Sequence, residues 1–316
     1  MGHPTLVAGT VGAAYDPRGS DDRGVAVLIA QITDLHVAEP DTFMRRFVDA
    51  NDKLAAAVAY LNDRADRIDA VVATGDLTND GTADQYRLLR ELLEPLRIPL
   101  YLVPGNHDEA DEFRRAFADE PWLPLVGPVD YVVDAHDVRL VGIDTTEPGR
   151  HDGVFHQSQA AWLDEVLCTR PDAPTLVFCH HPPFFTGLWL FDAIRLTGAE
   201  LLRDVVARHP QVRQVVSGHV HRPVSTTWGS TALTTSPSTT HQSRCDLHPD
   251  DGAGIVDETP MLQLHRFTGE RFITHSTPFE AAANTIEIGA LVSDWESARD
   301  RIVAGPPFPK GPGGMF

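Results

Sequence analysis

The stretch Ile98-Pro99-Leu100-Tyr101-Leu102-Val103-Pro104-Gly105-Asn106-His107-Asp108 decides how the chain is read. An apolar run of strand length stops at a proline and a glycine, and an amide, an imidazole and a carboxylate follow directly. A short apolar run bounded by turn residues reads as a buried strand. The polar cluster then occupies the loop at that strand's carboxyl end, the edge where α/β sheets gather ligands.

The same grammar repeats on both sides. Upstream, Val25 to Ile32 runs into Thr33-Asp34-Leu35-His36, and Ala70 to Thr74 runs into Gly75-Asp76-Leu77. Downstream, Thr175 to Cys179 ends in His180-His181-Pro182-Pro183, and Val212 to Val216 leads to Gly218-His219-Val220-His221. Between these runs, Ala50, Leu54, Ala57, Val58 and Leu61 recur at helical spacing, as do Tyr86, Leu89, Leu92, Leu93 and Leu96. Helices are also expected near Gln159–Leu167 and Ala199–Arg208, and paired strands near Tyr131–Val133 and Arg139–Ile143. Strand-like segments at Ser225–Trp228, Met261–Phe267 and Arg271–His275 suggest a second sheet. Such alternation implies a layered α/β domain. Residues 1–24 read as a loose leader, 25–280 as the main folded domain, and 281–316 as an extension with a Pro/Gly-rich tail.

Composition narrows the function classes. The chain has 316 residues, 42% of them hydrophobic, enough for one or two cored domains. It carries 45 Asp plus Glu against 26 Lys plus Arg, a net charge of −19, which argues against polymeric nucleic acid and anionic membrane as partners. No run approaches the roughly 18 consecutive apolar residues of a membrane span. The start Met1-Gly2-His3-Pro4 lacks the basic and apolar regions of a secretory signal. Cys168, Cys179 and Cys245 form neither an even set nor a CxxC pair, which fits a reducing, cytoplasmic compartment. The informative surplus is the 15 histidines.

Six of them, His36, His107, His180, His181, His219 and His221, fall at the strand ends. Asp34 and His36, like His219 and His221, are spaced i, i+2, so an extended chain turns both members of each pair to one side. With Asp76, Asn106 and His180 they supply more nitrogen and oxygen donors than one ion needs. The set suits Mn, Fe or Zn, and the absence of thiolate disfavours a closed structural zinc site. Two such ions form the usual clamp for in-line displacement at phosphorus.

The order D-x-H, G-D, G-N-H-D, H, G-H-x-H from Asp34 to His221 resembles the signature of the calcineurin-like binuclear metallophosphoesterases. Within that superfamily the chain is similar to class III cyclic-nucleotide phosphodiesterases and bacterial glycerophosphodiesterases. The similar passages are Ile32 to His36, Asp69 to Leu77, Pro99 to Asp108 and Ile143 to Thr146. The resemblance implies a four-layer α/β/β/α sandwich with the metal site at the carboxyl ends of the strands. It also implies a phosphoric diester hydrolase with two divalent metal ions. Asp34, His36 and His221 would hold the first ion, Asn106, His180 and His219 the second, and Asp76 would bridge them. His107 would contact a phosphate oxygen or the leaving group without coordinating, and Asp108 would orient His107.

The chemistry agrees with that arrangement. A phosphodiester repels hydroxide, and two cations neutralise this charge and lower the pKa of bound water from about 15.7 toward neutrality. Two divalent ions contribute about +4, Asp34 and Asp76 about −2 and a hydroxide about −1, leaving a centre of about +1 for an anionic ester. Phosphoprotein phosphatases of the superfamily carry an Arg soon after the Gly-Asp, and Gly75 to Gly81 contains none. This favours a small monoanionic diester, a cyclic nucleotide or a glycerophosphodiester, over a monoester. Ser238 to Gln242 resembles a glycerophosphodiesterase loop in which a histidine, here His241, holds substrate. Arg150 and His151 are further candidate phosphate contacts. The aromatic stretch Phe184 to Phe191, within residues 184–198, is expected to be a lid or a homodimer contact. Cys179 reads as core packing, His181 as a backbone-bonded neighbour of the site, and His265 as a surface or strand residue. The competing readings are a phosphomonoesterase or nuclease of the same superfamily, and a non-catalytic binding module.

Overall fold

The structure, a computed structural model, describes residues 27–280 except Asp41, together with residues 294, 296, 297, 299 and 300. The leader over residues 1–24 lies outside the described residues, as does the extension 281–316 apart from those five positions. Val27–Ala281 forms one unit. Its elements are β1 (Leu28–Ile32), α1 (Phe43–Phe47), α2 (Ala50–Asn62), β2 (Ala70–Thr74), α3 (Ala83–Leu93), β3 (Leu100–Val103) and α4 (Ala110–Ala116). There follow β4 (Tyr131–Val133), β5 (Arg139–Ile143), α5 (Gln157–Cys168), β6 (Thr175–Cys179), α6 (Trp189–Ala193), α7 (Ala199–Arg208) and β7 (Val212–Ser217). The last six are β8 (Val224–Trp228), β9 (Thr231–Thr235), β10 (Gln242–Ser243), β11 (Ile255–Val256), β12 (Met261–Phe267) and β13 (Phe272–Pro278).

Two mixed sheets result, ordered β13-β12-β1-β2-β3 and β4-β5-β6-β7-β9-β8, with β10 and β11 as a separate ribbon. The late strands therefore do not build a sheet of their own. β12 pairs antiparallel with β1, through Leu28↔Arg266 to Gln31↔Gln263, and β9 pairs parallel with β7. The motif-bearing strands are correspondingly divided, with β1, β2 and β3 in one sheet and β6 and β7 in the other. Alternation along a strand explains the layers. In β6, Leu176 and Phe178 pack with Leu140, Tyr131 and the first sheet, whereas Val177 and Cys179 pack with Leu163, Leu202 and Val206 from α5 and α7. Leu54, Leu61 and Leu89 cover the other side from α2 and α3. The product is an α/β/β/α sandwich, with each fully buried aliphatic or aromatic side chain contributing about 1.5–3 kcal/mol.

A polar seam crosses the apolar interior between the sheets. The Gln31 side-chain amide donates to Thr74 Oγ1 at 2.8 Å and to Ser217 O, in the facing sheet, at 3.0 Å. His265 Nε2–H donates to Gln31 Oε1 at 3.0 Å, while its Nδ1 accepts from Gln214 Nε2 at 3.2 Å. His265 is thus fully buried and fixed as one neutral tautomer: it is the strand residue of the sequence reading, and not a surface one. The sequence shows only a strand histidine, and its burial follows from β12 lying at the interior of the first sheet.

Burial pushes the His265 imidazole down to about 3. The unfolded side chain titrates near 6.5, so unfolding takes up a proton below that pH. Stability from this residue is present above about pH 6.5 and falls toward pH 3 by roughly 1.4 kcal/mol per unit. Urea titrations of wild type and His265→Gln should show a stability difference that shrinks between about pH 7.5 and about pH 5. A pH-independent difference would contradict the buried neutral assignment.

Candidate metal centre

The loops after β1 and β2 keep running side by side beyond the strands. Asp34 N donates to Gly75 O at 3.0 Å and His36 N to Asp76 O at 2.9 Å. The i, i+2 pairs converge, but not through the extended chain expected from the spacing. Asp34 (φ 52°), His36 (φ 43°), Asp76 (φ 48°), His219 (φ 72°) and His221 (φ 50°) all adopt the left-handed conformation. Among the described residues no other non-glycine does so. Each such residue costs about 1–3 kcal/mol and persists only where its surroundings over-determine it. Leu35 and Val220, the intervening residues, are completely buried and lock the turns in place. Close approach explains two of the motif glycines. A Cβ on Gly105 would collide with the backbone and carboxylate of Asp76, and one on Gly218 with Thr33 Oγ1 and Asp34 Oδ2.

The donors fall into two groups. In the first, His36 Nε2 faces His221 Nε2 at 3.4 Å, and His221 Nε2 lies 3.2 Å from Asp34 Oδ1. In the second, His180 Nε2 lies 3.2 Å from both Asn106 Oδ1 and His219 Nδ1. Asp76 stands between them, with Oδ1 3.4 Å from His180 Nε2 and Oδ2 3.8 Å from His36 Nε2. Neighbouring donors around an ion with bonds of about 2.1 Å are separated by roughly 3.0–3.4 Å in octahedral and tetrahedral geometry. The residues fit a metal in each group, and imidazole nitrogens facing each other at this distance call for a shared cation.

Backbone carbonyls set the tautomers. His180 Nδ1–H donates to Thr74 O at 2.7 Å and His221 Nδ1–H to His241 O at 2.9 Å, so both present Nε2 inward. His219 is reversed: Nε2–H donates to Ile194 O at 3.1 Å and Nδ1 faces the centre. Such outer hydrogen bonds fix ring orientation and raise ligand basicity. Burial holds His36 and His219 well below the usual histidine range, and neighbouring histidines push them further down. For Asp76 burial acts upward, but His180 and His107 outweigh it and hold the carboxyl well below its usual value. For His180 burial acts downward, and the charge and hydrogen bond of Asp76 carry it up to about 9.

The remaining expected residues divide. His107 Nδ1–H donates to Asn79 O at 2.7 Å, and its ring stands edge-on to His36 at 4.8 Å. Asp108 does not orient it. Its carboxylate accepts instead from Gly105 N (2.9 Å), Leu77 N (3.0 Å), Thr78 N (3.1 Å), Thr78 Oγ1 (3.0 Å) and Tyr86 OH (2.9 Å). Asp108 thereby ties the β2 and β3 loops together, and the backbone of Asn79 takes the role assigned to it. His241 is buried with its ring 4.5 Å from His221 and 5.3 Å from His36, and burial followed by His221 pushes it down to about 2. His151 is exposed, its ring 6.5 Å from His107. Arg150 is exposed and held in a two-point ion pair by Asp152, so it is not brought to the donor groups. His181 is fully buried: it accepts from Thr145 Oγ1 at 2.8 Å and donates to His151 O at 3.2 Å. The sequence reading missed Ser238 and Thr240, whose hydroxyls both donate to Asp34 O at 3.0 Å. Their signal was the hydroxyl run Ser238-Thr239-Thr240 itself.

An α/β/β/α sandwich with grouped imidazole and carboxylate donors at its strand-end edge defines the metallophosphoesterase class. Residues 27–223 match the calcineurin-like phosphoesterase family, and the chain belongs to it. It is 32% identical over 254 residues to the probable glycerophosphodiester phosphodiesterase of Arcobacter nitrofigilis, covering 80% of this chain and 93% of that one. It is 30% identical over 297 residues to the cAMP/cGMP dual specificity phosphodiesterase of Mycobacterium tuberculosis, covering 89% and 92% respectively. Among solved structures, a dimetal phosphatase from Danio rerio shares the fold with a TM-score of 0.59 at 19% identity, over 80% of this chain and 96% of that one. Among the described residues no helix is long and apolar enough to cross a membrane.

The Asp108 geometry makes a specific prediction. Hydrogen bonds to a charged group are worth about 1.5–3 kcal/mol each, so Asp108→Asn should lower the melting temperature by more than about 5 °C. His107→Ala should lower it far less. Equal melting temperatures for wild type and Asp108→Asn would restore the orienting role.

Proposed function

We propose that the protein is a binuclear metal-dependent phosphodiesterase acting on small phosphodiesters, a cyclic nucleotide or a glycerophosphodiester. The observation that carries this reading is the Asp76 carboxylate, set between two groups of facing donors. Asp34, His36 and His221 would hold one ion, Asn106, His180 and His219 the other, and Asp76 would serve both. Mn, Fe and Zn all suit this nitrogen and oxygen set. Bound divalent ions supply charge neutralisation at phosphorus and acidify water. His107, with Nδ1–H committed to Asn79 O, keeps Nε2 free to take up a proton, and as the imidazolium it can donate from Nε2 to a phosphate oxygen or to the departing alkoxide. His241 and His151 lie close enough to the histidine cluster to touch an ester bound there. Arg150 would first have to leave Asp152.

The related proteins named as glycerophosphodiester and cyclic-nucleotide phosphodiesterases support a diester over a monoester. So does the absence of an arginine between Gly75 and Gly81. The catalytic domain spans residues 25–280. Three free cysteines suit a cytoplasmic setting, and exposed Phe185 suits a homodimer contact in the 184–198 segment.

Metal-loaded protein should cleave bis-p-nitrophenyl phosphate much faster than p-nitrophenyl phosphate, and the reverse order would point to a phosphomonoesterase. His107→Ala should lower kcat on the diester by about 10²-fold with metal content intact. Asn106→Ala should reduce bound metal from about two ions to about one, and Asp76→Ala further, by elemental analysis. Diester turnover left unchanged by His107→Ala or Asn106→Ala would overturn the roles given to these residues, and no diester turnover in metal-loaded wild type would leave the fold as a binding module.

A further inference from the structure

Beside the donor groups a cleft of about 300 Å³ opens between α6 and the β10–β11 ribbon. Trp189, Leu190 and Phe191 line one wall, and Asp246, Gly254 and Ile255 the other. Trp189 Nε1–H donates to Gly252 O at 3.0 Å and joins the two walls.

Both walls are fastened to proposed metal ligands. On the α6 side, the Phe191 ring stands edge-on to His219 at 5.6 Å, and Ile194 O accepts from the same imidazole. On the ribbon side, Ser243 N donates to His221 O at 3.4 Å, and His241 O accepts from the His221 ring. Two ion pairs hold the ribbon to the body: Lys53 with Asp257 at 2.6 Å, and Arg222 with Glu258 at 2.7 and 2.8 Å. The cleft is therefore fixed relative to His219 and His221.

Its chemistry is uneven. The walls are aromatic and aliphatic, but Asp246 is buried among them. Its Oδ1 accepts from Arg244 Nε at 2.6 Å, whereas Oδ2 is buried with no hydrogen-bond partner among the described residues. A buried acceptor without a donor is costly, and such groups in native proteins call for an explanation. Asp246 is already ion-paired with Arg244, so its carboxylate does not stand as a lone charge for a cationic group. What completes the cleft is a flat, uncharged, largely apolar group that carries an N–H donor at its edge. A nucleobase has that chemistry. A glycerol or methyl arm has neither the area for the walls nor the ring.

We propose that this cleft is the specificity subsite of the enzyme and holds the nucleobase of a nucleotide diester, with Asp246 Oδ2 accepting from a base N–H. The inference rests on the phosphodiesterase reading above. Trp189 and Asp246 are then specificity-determining residues that act on the arm of the ester, away from the reacting bonds.

The test uses full-length, metal-loaded protein and p-nitrophenyl esters of methyl phosphate, phenyl phosphate and thymidine 5′-phosphate. In wild type kcat/KM should rise from methyl to phenyl to thymidine ester, by about tenfold or more overall. Trp189→Ala should bring the phenyl-to-methyl ratio toward one, and Trp189→Phe, which keeps an aromatic wall, should restore it. Asp246→Asn should lower the thymidine-to-phenyl ratio by about tenfold. Equal rates for methyl and thymidine esters in wild type would overturn the subsite while leaving the phosphodiesterase reading intact. So would ratios that do not move in folded variants, as judged by circular dichroism melting. Failure to cleave any of the three esters would overturn both.

Discussion

One carboxylate joins the two sheets at the edge where the site lies. Asp34 leaves β1 in the first sheet, and its oxygens accept from His219 N, beyond β7 of the second, at 3.2 and 3.1 Å. Its own carbonyl is gripped by Ser238 and Thr240, and its amide by Gly75. Everything else at the centre follows from this clasp. Five donors sit in left-handed backbone, at about 1–3 kcal/mol each, which together rivals the net stability of a typical domain. Such strain needs opposition from several directions. The Asp34 contacts, the Asp108 cradle and the Gln31–Ser217 bond supply it, each crossing from one loop or sheet to another.

Much of this was legible in the sequence, for identifiable reasons. Strands β2, β4, β5, β6 and β12 are recoverable from apolar runs because each stops at a proline, a glycine or a charged turn. The ligand types are legible because a thiolate-free set of Asp, Asn and His disfavours a closed structural zinc site. What the sequence hides is pairing. A strand such as Ala70–Thr74, buried on both faces, carries no mark of its neighbour, so nothing in Met261–Phe267 announces that it lies against β1. The backbone conformation of Asp34 and His36 is hidden for a similar reason. Spacing i, i+2 suggests a strand, and only the positive φ angles of Asp34 and His36 show that the chain turns there. The role of Asp108 was misjudged because adjacency to His107 suggested contact, whereas the loop turns its carboxylate back toward Leu77, Thr78 and Tyr86.

The net charge of −19 looks unfavourable for an enzyme of anionic esters, and the structure shows why it is not. Many acidic side chains lie on the surface and several pair with arginine, as Asp84 and Glu91 do with Arg87 and Asp119 does with Arg90. Exposed pairs of this kind contribute little to stability and screen one another. At the centre the balance is different, because Asp34 and Asp76 are the only carboxylates in the donor groups and the rest are amide or imidazole donors. Acidity of the whole and electropositivity of the metal-loaded centre are separate quantities.

The same separation governs selectivity. The donor groups, in the role proposed above, meet the reacting phosphorus, so they set the reaction and not its preference for an ester arm. Preference has to come from what is fastened beside them. Here α6 and the β10–β11 ribbon are both tied to His219 and His221, one through the side chain of Phe191 and the carbonyl of Ile194, the other through Ser243 and His241. The Nε2–H of His219 and the Nδ1–H of His221, which orient these rings, therefore also position the walls. A change in the ribbon's sequence would alter the fit of an ester arm without disturbing the clasp at Asp34. The metal centre can stay constant while the cleft varies, because they share hydrogen bonds to the same histidines but no side chain belongs to both.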